Sequence, residues 1–336
     1  MHTRIALATL VALASGLGLG CTCDGSAPTD GGRSGTPMTI GYSRLRISLP
    51  IFVAQERGIF ARHGVDADLV MYDTAQPLMQ ALVEGRVDVA GYTALPITYN
   101  GMLRSGTRLL FLTALVEDQG HRISYLLRRR PPVGGLSPIR TIGDLRGRRI
   151  GILPTVAYRA WLEAILEANG VAPDAVTLQP VEPLLQPQAL ASGGVDALFT
   201  NDPAATAAIV EGIAELITDF VEVPRYLGEP FLFGSFNVRA DWAEAHPDEL
   251  TRLTAALDEA CDFVNEHPDD AKRAMAPYLP EPFAAHTVHY PDARYLTTAE
   301  TREESFILVA RDYERRHIIP GPLDLRGLVR SNAPGR

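Results

Sequence analysis

The stretch LPIFVAQERGIFARHGVDADLVMYDT (residues 49–74), followed by ALVEGRVDVAGY (81–92), alternates helix and strand with a glycine at each break. Ser48 and Pro50 open a helix carrying Ile51, Phe52 and Val53, and Gly58 and Gly64 punctuate its end. Residues 67–72 read as a strand. A helix over 76–84 stops at Gly85, and 87–91 form a short buried strand. Outward from this stretch, 38–43 supply a strand before it. A helix over 96–104 and a strand over 109–115 follow it. Strands alternating with helices predict a mainly parallel sheet covered on both faces.

The pattern then restarts. Residues 123–127 read as a strand and 128–138 as a basic, Pro/Gly-rich loop. Strands are predicted over 149–153, 176–181 and 195–199, with helices over 155–169, 184–191 and 203–211. After a last clear strand over 231–238 the chain turns helical, over 248–266, from His267–Pro268, and over 297–315. LVEGRVDVA (82–90) and LASGGVDAL (190–198) match as helix end, glycine stop and strand beginning Val-Asp. They mark two corresponding lobes rather than a solenoid repeat.

Composition narrows the function classes. The chain has 336 residues, 46% of them hydrophobic, enough for two packed lobes. A net charge of -9 argues against a nucleic-acid surface. Lys272 is the only lysine, which nearly excludes lysine-based cofactor chemistry.

Arg4 and the apolar run 5–19 form a targeting segment too short for a comfortable membrane span. The run ends at Gly18-Leu19-Gly20-Cys21, which resembles a bacterial lipoprotein processing site, although Gly18 stands where that pattern prefers Leu. The other reading is an ordinary secretory signal cut nearby. Residues 21–37 are rich in Gly, Ser, Thr, Pro and Asp and read as a flexible tether. Cys261 falls on a helical stripe with Leu250, Leu253, Leu257 and Val264 and reads as a buried thiol; a bridge to Cys23 has no support in the spacing.

VAQERGIF (53–60), 82–91, IGDLRGRRIG (142–151) and VDAL (195–198) with Asp202-Pro203 behind it occur in an order and spacing that resemble ABC-importer solute-binding proteins. The resemblance is to the branch binding nitrate, sulfonates, taurine and thiamine precursors. It covers residues 38–238, with a looser helical tail. It implies an α/β, two-lobed periplasmic binding protein-like (type II) fold, each lobe a mainly parallel sheet flanked by helices, with the ligand cleft between lobes. The expected division is a signal peptide (1–20), a tether (21–37), lobe one (38–122), lobe two (123–232), and a return strand with C-terminal helices completing lobe one (233–336).

Loops after strand ends carry the candidate ligand contacts: Ser43, Arg44 and Arg46 after the first strand, Tyr92 and Thr93 after the third, and Thr155, Tyr158, Asn201 and Asp202 in lobe two. Nearby helix starts offer free N–H groups to an anion. One arginine, Arg44 or Arg46, could clamp a sulfonate or carboxylate. Thr93 is the first candidate, at the edge of a buried strand. Thr155 and Asp202 equally suit helix capping, and Tyr92 and Tyr158 equally suit core packing. Leu153-Pro154-Thr155-Val156 departs from the Gly-Ser or Gly-Thr of anion-binding relatives, which leaves room for an aromatic or amine solute.

Other chemistry finds no support. His286-x-x-His289 lacks a third close zinc ligand. No nucleophile elbow, Walker loop or His-Glu-x-x-His is present. The expectation is therefore not an enzyme and no cofactor. It is an exported lipoprotein anchored through Cys21 on the periplasmic or cell-surface face. It would act as a monomer that captures a small anion by hinge closure and delivers it to a membrane permease and ATPase. The alternatives are a binder of a pyrimidine-like thiamine precursor or other aromatic or amine solute, an enzyme on the same fold, and a detached sensory lobe.

Overall fold

A computed structural model describes residues 37–132, 135 and 137–331. The signal segment, the tether, Cys21 and Cys23 lie outside the described residues.

Eleven strands form two sheets among those residues. β1 (Met38–Ser43), β2 (Ala67–Tyr72), β3 (Val89–Ala94), β4 (Leu109–Glu117), β10 (Phe231–Arg239) and β11 (Arg294–Leu296) make the first, in the order β11-β4-β10-β3-β1-β2. β5 (Ser124–Arg129), β6 (Arg149–Ile152), β7 (Thr177–Pro180), β8 (Ala197–Asn201) and β9 (Ala214–Leu216) make the second, in the order β7-β6-β8-β5-β9. β1 pairs in parallel with β2 and β3, and β6 with β7 and β8. β10 inserts antiparallel between β3 and β4, and β5 lies antiparallel between β8 and β9. These antiparallel insertions occur at the two strands that continue the chain from one sheet toward the other.

Apolar content dictates the layering. Every residue of β3 and all but one of β1 are buried, as strands covered on both faces must be. The edge strand β2 is only half-buried. Gly58, at φ +65°, separates helix Leu49–Glu56 from helix Ile59–Arg62. The left-handed conformation costs glycine little, so the break falls there. The long helix Pro247–Glu266 packs on Leu49–Glu56, burying Leu250, Leu253, Leu257, Cys261 and Val264. The Cys261 thiol is free and fully buried. Among the described residues, no helix is long and apolar enough to cross a membrane.

Four details differ from the sequence expectation. β3 runs to Ala94 instead of ending at Gly91. β5 extends through Arg128 and Arg129, and Arg128 pairs with Glu215 at 2.9 Å rather than lying in a solvated loop. The last helix begins at Glu303, not Thr297. Side chains hold the preceding turn out of helical form: Glu300 accepts from the Thr297 amide (3.0 Å) and Asp258 from the Thr298 amide (2.7 Å). The three-residue strands β9 and β11 are too short to show any periodicity.

Candidate functional site

Parallel strands end at a common edge. The loops after β1, β2 and β3 therefore gather at one end of the first sheet, and those after β6, β7 and β8 at one end of the second. The two edges meet. Arg46, in a short 3-10 turn after β1, and Asp202, directly after β8, are both fully buried. Their side chains approach to 2.8 Å, Nε to Oδ2, an ionic contact outside hydrogen-bond alignment. The Arg46 amide also donates to the Asp202 carbonyl at 3.1 Å. Nη1 donates to the Pro291 carbonyl (2.9 Å) and Nη2 to the Arg122 carbonyl. Asp202 accepts further from Tyr125 Oη (3.0 Å) and the Thr206 amide (3.0 Å). Burial would lower the Arg46 pKa, but Asp202, with Tyr125, Tyr295 and Tyr290, outweighs it and holds the guanidinium above its usual range.

Beside this pair lie buried polar groups without partners. Tyr158 Oη and both side-chain polar atoms of Asn201 make no hydrogen bond, although the residues are only 3% and 2% exposed. Tyr290 Oη is similarly bare. Burial raises the Tyr158 pKa well above its usual value, with Glu117 and Asp202 adding to the rise and Arg46 opposing it. Unpartnered buried polar atoms are scarce in native folds, and each needs an explanation such as an absent water or ligand. Here they gather where the two sheets face each other.

At the rim, Arg44, Leu45 and Asp73 from the first sheet's edge and Glu182, Pro183 and Leu184 after β7 line a cavity of about 180 Å³. Arg44 thus faces a separate space from Arg46.

The other expected residues divide as follows. Thr155 caps helix Val156–Ala168, its hydroxyl accepting from the Tyr158 amide at 3.3 Å. Ser43 is buried, its hydroxyl 3.5 Å from that of Ser48. Thr93 is fully buried with its hydroxyl already committed, to Thr98 Oγ1 (2.6 Å) and to the Asn237 amide (2.9 Å). Tyr92 does not join the cluster. Its hydroxyl meets Thr113 Oγ1 (2.6 Å) and Cys261 Sγ (3.3 Å), and its ring packs edge-on to Phe236 and Tyr295. The reason is a bulge. Ala90 pairs with Asn237 and Thr93 with Ser235, so Gly91 and Tyr92 together oppose Phe236. Tyr92 takes φ +40° there, which turns it into the first sheet's core.

Sequence reasoning missed three participants. Tyr125, on β5, holds Asp202. Tyr290 comes from the C-terminal segment, its ring 5.9 Å from the Arg46 guanidinium carbon. Glu117 ends β4 and is fully buried, its Oε1 accepting from the Ile123 amide (2.7 Å), the Ser124 amide (2.5 Å) and Ser124 Oγ (2.8 Å). Burial pushes its pKa up to about 7 against those hydrogen bonds and Arg122. A lone acid closing the apolar run LLFLTALVE was the one available signal. Of the other titratable candidates, His286 contacts Glu211 at 3.1 Å, and Lys272 pairs with Asp292 at 2.6 Å. Among the described residues no cluster of His, Cys, Asp and Glu could hold a metal ion.

Two α/β sheets whose strand ends face each other across a polar seam are the architecture of periplasmic solute-binding proteins. Residues 31–279 match the NMT1-like family, and the chain belongs to it. It is similar to the bicarbonate transport ATP-binding protein CmpC of Synechococcus elongatus, 26% identical over 242 residues, which are 68% of this chain but 35% of that protein. The chain thus spans about a third of that relative's length. Among solved structures it resembles the alkanesulfonate-binding protein SsuA of Xanthomonas axonopodis, with TM-score 0.67, 20% identity, and coverage of 87% of this chain and 97% of that one. It also resembles the periplasmic nitrate-binding protein NrtA of Synechocystis, with TM-score 0.66, 15% identity, and coverage of 85% and 83%.

Proposed function

We propose that the protein is an extracytoplasmic solute-binding protein of an ABC importer, anchored through lipidated Cys21, and that it captures a small polar solute by hinge closure. The observation that carries this reading is the seam itself: Tyr158 from the helix after β6, Asn201 at the end of β8, and Tyr290 from the C-terminal segment bury unpartnered polar atoms beside Arg46 and Asp202. A solute supplies the missing partners to both halves at once, so it favours the closed form. The chain crosses between sheets at β4–β5 and returns near β10, which supports a hinge there, with lobes at 38–122 and 233–336 on one side and 123–232 on the other. The closed form would dock as a monomer on a membrane permease with its ATPase. Similarity to proteins titled for alkanesulfonate, nitrate and bicarbonate transport supports an importer role. It supports no catalytic role.

The test is thermal shift of the purified protein against sulfonates, nitrate, taurine, amides and pyrimidines, with X-ray scattering in parallel. A solute that binds raises stability by mass action and compacts the particle. No stabilisation and no compaction with any of them would overturn the proposal.

A further inference from the structure

The charges of the seam cancel within the chain. Arg46 has an oxygen neighbour at each of its three nitrogens: Asp202, Pro291 and Arg122. Asp202 is in turn held by Tyr125, the Thr206 amide and Arg46. An anion entering the seam would have to strip Asp202 from Arg46 and leave a buried carboxylate without its counter-charge, a large penalty. The buried Glu117 carboxyl offers an anion no counter-charge, and its Oε1 already accepts from three donors. Arg44 is turned to the rim cavity, where Asp73 and Glu182 already supply two carboxylates. No arginine in the seam is left for an anionic solute. Apart from Arg46 Nε, which meets Asp202 as an ionic contact only, the unpaired groups beside the pair are neutral: the Asn201 amide and the Tyr158 and Tyr290 hydroxyls.

We propose that the Arg46–Asp202 pair sets the charge specificity of the cleft, excluding anions and admitting an uncharged solute with adjacent donor and acceptor groups, of which a carboxamide is the simplest class. The Asn201 amide presents one acceptor and two donors, and such an edge pairs two-point with a second amide edge. Tyr158 and Tyr290 can each donate or accept. This inference rests on the solute-binding reading and gives that reading its substrate class.

The experiment titrates the purified full-length protein, wild type and Asp202→Asn, with nitrate and methanesulfonate, and with nicotinamide as the uncharged carboxamide probe. Calorimetry reads affinity and circular dichroism reads folding. Wild type is expected to show no saturable binding of either anion. Asp202→Asn frees the Arg46 guanidinium as a charge-assisted donor, and anion affinity should rise by about tenfold or more. The double variant Arg46→Gln/Asp202→Asn should lose that gain, and in wild type saturable binding is expected of nicotinamide alone. Saturable nitrate or methanesulfonate binding by wild type would overturn the inference, and this arm needs no variant to fold. A folded Asp202→Asn protein with no gain in anion affinity would also overturn it. Wild type compacting around an anion would sink this inference while leaving the solute-binding role standing. If no solute compacts the protein, that role itself falls.

Discussion

Glu117→Gln should remove a defined component of the protein's pH dependence. The carboxyl is fully buried at the end of β4 and titrates at about 7, against an ordinary 4.5. Between those values the folded chain keeps a proton that the unfolded chain releases. Stability therefore falls as pH rises through that window, and the full contribution is present only below about 4.5. At roughly 1.4 kcal/mol per pH unit, the interval corresponds to a loss on the order of 3 kcal/mol by slightly alkaline pH. Glutamine keeps an oxygen for the Ile123 and Ser124 amides but cannot ionise, so its profile should lack that decline. Buried Glu222 is also raised, and Asp118, Asp144 and Asp196 are lowered; all four persist in the variant. The difference between the two profiles therefore isolates Glu117. Urea unfolding at intervals from about pH 4.5 to pH 8 measures it. Wild type and variant curves that run parallel across this range would refute the reasoning.

Other perturbations follow from the same seam. Asp202→Ala leaves the Arg46 guanidinium buried without its counter-charge and should cost about 3–5 kcal/mol in urea unfolding. Arg46→Met/Asp202→Leu should recover most of that, because a buried pair often gives little net stability over apolar replacements. Tyr158→Phe removes a hydroxyl with no partner, so solute-free stability should hold or rise by about 1 kcal/mol while calorimetric affinity for the solute drops. Cys261, fully buried and with its thiol pushed up to about 12, should react with iodoacetamide only at the global unfolding rate, read by mass spectrometry.

Much of the architecture was legible because it is local. The runs at 38–43 and 67–72 are strands by their own alternation, and Gly58 breaks a helix by its own conformational freedom. Both sheets and their order of appearance follow from such segments. The differences between sequence reading and structure fall where a distant partner decides. Tyr92 was placed at the cleft on the reading that β3 ends at Gly91. The bulge that turns it inward exists only because β10 pairs with β3. Arg44 and Arg46 are indistinguishable as two arginines in one loop. Only the position of Asp202 on the other sheet separates them. Thr93 suffers the same way, since Asn237 of β10 consumes its hydroxyl. Thr155, by contrast, was readable as a cap because its partner lies three residues on.

The closing force of the proposed hinge can be argued from what the seam lacks. The Arg46–Asp202 pair is a poor source, since opening returns both charges to water and desolvation nearly balances their attraction. Its contribution is registry: it meets in one alignment only, with the Arg46 amide on the Asp202 carbonyl fixing the approach. The neutral groups behave differently. Closed and empty, Tyr158, Asn201 and Tyr290 each carry an unmade hydrogen bond at about 1–3 kcal/mol. Open, water satisfies them. A solute that partners all three removes a penalty borne only by the closed state. That sum is comparable to the roughly 5.5 kcal/mol of differential affinity needed to swing an equilibrium from about 1:99 to 99:1. Orphaned neutral donors and acceptors therefore make closure conditional on solute, and a cleft with those groups already satisfied would close without one.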